Sequence, residues 1–113
     1  MRILDLGSVT GRPVSAHGSR GFSVAALGLS ADAHLVVVRL EAGGVVGRHP
    51  AVGRQVLAVL TGDAVVSGGS DGSDGPVTIG PGQAAVWEPY EPHETRTTEG
   101  LTALVLEGEL DLA

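Results

Sequence analysis

The chain has 113 residues, no cysteine and a formal net charge of −6. That length implies one domain able to bury roughly two-thirds of its unfolded surface, and the absent thiols exclude disulfides and thiolate metal sites. Seven basic residues form no cationic surface large enough to track a phosphate backbone, so no nucleic-acid partner is expected.

No apolar run approaches the span of a bilayer, and the opening M-R-I-L-D-L-G-S sets an aspartate where a secretory apolar region would run. A cytoplasmic protein without a membrane partner is expected. Eighteen glycines, and an apolar fraction carried by Val, Leu and Ala, are the composition of an all-β sandwich or barrel.

Residues 2–6 read as a short edge strand, and Gly7 to Gly21, polar and broken by Pro13, as a loop in which His17 has no chemical role. Phe22 to Leu27 is extended, with a turn near Gly28–Ala31. From His34 to Leu40 side chains alternate across a strand. His34, Val36, Val38 and Leu40 then share one face, and Leu35, Val37, Arg39 and Glu41 the other. The charges mark the second face as outer, which turns His34 inward.

The Gly43-Gly44 turn leads to a short strand with Val45, Gly47 and His49 on one face. Gln55, Leu57, Val59 and Thr61 alternate with Val56, Ala58 and Leu60 in a strand apolar on both faces, as a central strand should be. Thr61-Gly62-Asp63 turns into 64–67. Gly68 to Gly75 reads as a solvated connection; its aspartates lack the spacing of a calcium loop. Strands at 77–79, 84–87, 93–97 and 101–107 complete the chain, and no run has the apolar period of a helix.

Gly43, five residues, His49-Pro50-Ala51, three residues, Gln55, six residues and Gly62 keep the spacing of a known pattern. It resembles the first motif of the cupin superfamily: glycine, five residues, H-x-H, three or four residues, glutamate, six residues, glycine. Gly82 to Thr97 resembles the second motif more loosely, with His93 at its histidine and Thr97 where asparagine is usual. Ala51 stands in place of the second histidine and Gln55 in place of the glutamate.

The resemblance implies a single-domain antiparallel jelly-roll β-barrel over residues 1–113, often dimeric, so a homodimer is expected. Many cupins hold a divalent metal on three histidines and a glutamate. Carried over residue by residue, that implies His49 and His93 as ligands of Zn, Fe, Mn or Ni, with Gln55 as a weaker donor. His34 is a further candidate: counting back from the Gly43-Gly44 turn sets it opposite Ala51 if the flanking strands are neighbours.

Trp87 and Tyr90 present broad faces with a polar tip and are expected to wall the mouth of a small-molecule pocket, with Leu57 and Val59 on the face of Gln55. Three readings follow. The barrel holds a metal and a small-molecule ligand or substrate, it binds a small molecule without metal, or it is a structural barrel filled by aliphatic side chains.

Overall fold

Short valine-rich runs between glycine turns fold into antiparallel sheets, because alternating side chains bury one face of each strand. The computed structural model describes residues 1–25 and 28–112, at 28–31 the backbone alone. Its strands are β1 (Arg2–Asp5), β2 (Arg12–Val14), β3 (Phe22–Val24), β4 (Gly28–Leu40), β5 (Val45–Pro50) and β6 (Arg54–Gly62). They continue with β7 (Ala64–Gly68), β8 (Asp74–Ile79), β9 (Gln83–Trp87), β10 (Pro92–Arg96) and β11 (Leu101–Leu112). Among the described residues there is no α-helix, and Leu6–Ser8 and Ala16–Gly18 are single 3-10 turns.

Two sheets face each other. One has the order β1-β9-β6-β11-β4 and the other β5-β10-β7-β8. As expected, β6 is central and β1 lies at an edge. Leu57 and Val59 of β6, Ala85 and Trp87 of β9, and Ala103 and Val105 of β11 pack against Ala64, Val66 and Ile79 of the opposite sheet. Each fully buried aliphatic side chain there contributes about 1.5–3 kcal/mol. A second cluster, Val56, Ala84, Val86 and Leu110, has Leu4, Leu6 and Leu106 packed against it.

The chain changes sheets between β6 and β7 at Gly62, where φ is +87° and an added Cβ would overlap the Gly100 carbonyl. Only glycine fits. Asp63 then locks the corner: its carboxylate accepts hydrogen bonds from the Thr97 hydroxyl and the backbone N–H groups of Thr98 and Glu99.

Three expectations are corrected, and a fourth falls partly outside the described residues. The segment 7–21 is not all loop, because β2 pairs with β3 in a separate two-stranded ribbon. Of the extended run at 22–27, residues 26 and 27 lie outside the described residues. The backbone at 28–31 is strand rather than turn, since β11 runs on to Leu112 and pairs with it as far as Gly28. Last, β4 and β5 belong to different sheets, so His34 does not lie across from Ala51. It lies across from Glu107.

Candidate functional site

The loop between β5 and β6 and the turn between β9 and β10 meet at one end of the barrel. Ala51 N–H donates to the Glu91 carbonyl (3.1 Å), and Tyr90 N–H donates to the Ala51 carbonyl (2.9 Å). Both turns are thereby held in register. Ala51 itself is buried.

His49 and His93 are directly opposite each other on β5 and β10. Their rings are 4.5 Å apart between centroids and tilted by 53°. His93 is 2% exposed, whereas His49 lies at the exposed rim. The strand face assigned to His49 needs one correction. The register slips between His93 and Thr95, so that Val46 rather than Gly47 lies opposite the buried Thr95. A bulge re-aims the strand without moving His49 out of the site.

Each imidazole is fixed through its Nδ1. That of His93 is 3.0 Å from the Glu91 carbonyl, and that of His49 is 2.7 Å from the Gly47 carbonyl. A carbonyl only accepts, so both Nδ1 atoms carry the proton and both Nε2 lone pairs are left free. Burial lowers the His93 pKa. The carbonyl of Glu91 and the charge of Glu107 oppose this, the nearby His49 adds to it, and the net direction is down. His93 is therefore neutral at pH 7.

Trp87 is the floor beneath this pair. Its indole stacks on His93, with centroids 4.5 Å apart and 28° between planes, and its Nε1–H donates to the Ser67 carbonyl at 3.1 Å. Gln55 lies opposite Trp87 on one side and Glu107 on the other, in register across three strands. Its Nε2 donates to Glu107 Oε2 at 2.9 Å, which commits the amide nitrogen and leaves the oxygen as its free acceptor.

Sequence reasoning missed Glu107. Burial pushes its pKa up, but the Val52 N–H, the Gln55 amide, the Gly53 N–H and His93 outweigh that, and the pKa is lowered. Its Oε1 accepts from Val52 N–H at 2.9 Å. It was findable: Leu101, Ala103, Val105 and Glu107 share one face of β11 by alternation, so a charge ends an otherwise apolar inward row.

The other expected site residues separate. His34 faces the same way as Glu107 but is exposed on the edge strand. Leu57 and Val59 are core residues, 4% and 3% exposed, and line no described cleft. Tyr90, with φ at +66°, is 76% exposed and lines an open cleft of about 920 Å³ together with Asp32, His34, Val52, Arg54 and Glu107. Glu107 is thus shared between this cleft and the Gln55 row.

Among the described residues no three His, Cys, Asp or Glu side chains are placed to hold a metal together. The full donor set implied by the resemblance is not present. The donors the site does offer are two imidazole nitrogens whose second nitrogen is tied to a carbonyl, a state shared by metal-binding histidines, and the oxygen of Gln55. No carboxylate is among them; Glu107 stands behind Gln55 and accepts from its amide nitrogen.

No family model matches the chain, and no curated protein matches it. Solved structures do. An RmlC-like cupin from Shewanella frigidimarina is 16% identical over 72% of this chain and 67% of its own, with a TM-score of 0.59. A cupin superfamily protein from Desulfitobacterium hafniense is 16% identical over 95% of this chain and 97% of its own, with a TM-score of 0.60. The chain has the cupin fold. A DMSP lyase from Ruegeria pomeroyi is similar to this cupin barrel at 29% identity and a TM-score of 0.61, over 72% of this chain and 41% of that one. The chain thus spans under half the length of that lyase.

Proposed function

We propose that this cupin barrel binds a divalent metal ion (Zn, Fe, Mn or Ni) at its open end and uses it on a small organic molecule. The carrying observation is the pair of opposed imidazoles, each with Nδ1 tied to a carbonyl and Nε2 free. In this reading His49, His93 and the Gln55 oxygen are the protein's donors. Glu107 holds the Gln55 amide by its nitrogen and offsets the cation's charge across one hydrogen bond, since an uncompensated charge at a half-buried site is costly. A bound cation would supply Lewis acidity toward an oxygen of the ligand.

The likeness to a DMSP lyase supports a small organic ligand rather than a macromolecule. So does the open cleft beside Glu107, with Tyr90 at its wall. Trp87 keeps the imidazole of His93 in one plane, and its own N–H is occupied by Ser67, which leaves its ring face as its contribution.

A second reading is favoured by the neutral donor set. Without metal, His93 Nε2 is a buried hydrogen-bond acceptor or proton acceptor, and the barrel is a small-molecule binder or a metal-free enzyme. Elemental analysis of untagged protein, reconstituted with each of the four metals, separates the two. Stoichiometric metal that disappears in His93→Ala supports the first. Wild-type protein that stays metal-free, and whose melting is indifferent to chelator, leaves the second.

A further inference from the structure

Of the three glutamates that flank His93, one is turned inward. The side chain of Glu91 is 10% exposed, against 54% for Glu88 and 25% for Glu94. Neither the metal reading nor the metal-free one uses it. A carboxylate out of water is costly unless its oxygens are hydrogen-bonded, and those of Glu91 are. Oε2 accepts from Gly69 N–H at 2.7 Å and from the Met1 ammonium at 3.0 Å, and Oε1 accepts from Glu88 N–H at 2.9 Å. Gly68 keeps the space open: an added Cβ there would overlap Oε2 and come within 2.9 Å of the Trp87 ring.

The same residue acts through its main chain. Its N–H donates to the Glu88 carbonyl at 3.0 Å, so Glu88 is gripped at both its N–H and its carbonyl. Its own carbonyl accepts from His93 Nδ1 at 3.0 Å and from Ala51 N–H at 3.1 Å. The turn that presents this carbonyl needs anchoring. Tyr90 holds a left-handed backbone, with φ at +66°, which is uncommon outside glycine. Pro92 has no N–H with which to tie the next peptide to a neighbouring strand, and its own φ is fixed. The plane of the 91–92 peptide therefore follows Glu91.

The two histidines of the pair differ in this respect. Each reaches back two residues to a carbonyl, His49 to Gly47 and His93 to Glu91. Gly47 has no side chain to anchor that carbonyl, and His49 lies at the exposed rim. At Glu91 the anchor reaches Gly69, in the connection between β7 and β8, and His93 is buried.

We propose that Glu91 is the positioning residue of the site: its carboxylate pins the β9–β10 turn to the β7–β8 connection, so that its carbonyl keeps the proton of His93 on Nδ1 and Nε2 free. This rests on the reading of His93 Nε2 as the working atom of the site, with a metal or without one. Released from the carbonyl, a neutral imidazole can carry its proton on Nε2 instead. In that form Nε2 neither ligates a cation nor accepts a proton.

The test is the tautomer of each histidine in metal-free protein, read from long-range proton–nitrogen correlation spectra at alkaline pH, in wild type, Glu91→Gln and Glu91→Ala. Wild-type His93 is expected to be protonated at Nδ1. Gln offers one accepting oxygen to donors on two sides and Ala offers none. Both variants are expected to populate the Nε2–H form of His93, Glu91→Ala more than Glu91→Gln, with His49 unchanged. Zinc affinity, by chelator competition, is expected to fall about tenfold in Glu91→Gln. A wild-type His93 protonated at Nε2, a tautomer that does not move in the folded variants, or one that moves together with that of His49 overturns the proposal. Wild type that takes up no zinc while the variants show the His93 shift sinks the metal reading and leaves the positioning role standing. Should the variants not fold, native-state hydrogen exchange of the wild type replaces them. Gly69 N–H and His93 Nδ1–H released in one opening support the anchor, and an Nδ1–H that stays protected when Gly69 is released overturns it.

Discussion

Gln55 and Glu107 exchange the roles that the resemblance assigns to a single glutamate. The residue at the motif position is neutral, and the charge sits one strand away on β11, joined to it by a 2.9 Å hydrogen bond. Glu107→Gln keeps an acceptor for Val52 N–H, removes the charge and replaces the oxygen that accepts from Gln55 Nε2 with a second donor. It is expected to lower the melting temperature modestly and to weaken metal uptake, measured by competition with a chromogenic chelator. Gln55→Glu alone sets two carboxylates side by side and is expected to destabilise the fold. The double exchange Gln55→Glu/Glu107→Gln restores one charge and one amide and is expected to recover both folding and metal binding.

A second prediction at this scale concerns Asp63. The N–H groups of Glu99 and Thr98 hold its pKa below the ordinary 3.8. A depressed carboxylate pKa contributes stability that is present above 3.8 and is lost as pH falls through the lower folded value. Asp63→Ala is therefore expected to melt lower than wild type at neutral pH, with the gap closing in acid. A gap that stays constant down to the acid transition would show that the carboxylate's charge plays no part.

At the level of elements, β6 and its exit are the most constrained. Gly62→Ala forces a left-handed backbone on alanine and drives its methyl into the Gly100 carbonyl. It is expected to cost about 1–3 kcal/mol or more, read as a lower urea midpoint. Motif spacing made this strand legible, because the glycine, the histidine and the residue at 55 are fixed by local geometry. Alternation made β9 and β11 legible too. Local pattern does not reveal where a register slips, as at His93 to Thr95 on β10, nor which strand becomes a neighbour. Hence the sequence turns His34 inward and sets it beside Ala51, whereas it is exposed on the edge strand β4, which pairs with β11. Of the β2–β3 hairpin only β3 was legible, as the start of the extended run from Phe22; β2 lies in a polar, glycine-rich stretch without apolar alternation, and neither strand joins the core clusters.

For the whole molecule, the two facing sheets close on a core whose largest fully buried side chain is Trp87. Trp87→Ala removes both core volume and the face on which His93 rests. It is expected to cost about 3–5 kcal/mol, and Trp87→Phe, which keeps an aromatic plane, much less. Equilibrium unfolding of the two variants by urea separates loss of packing from loss of the stacking partner. The turns at the open end of the barrel are held by backbone bonds between Ala51, Tyr90 and Glu91.

Trp87 is the only tryptophan of the chain, and it stacks on the imidazole at the centre of the site. Fluorescence of this protein is therefore a single-residue signal with one dominant neighbour. Any cation, proton or ligand that changes the electronic state of His93 is reported in emission intensity without a label, and a titration that leaves the spectrum flat has not reached that histidine.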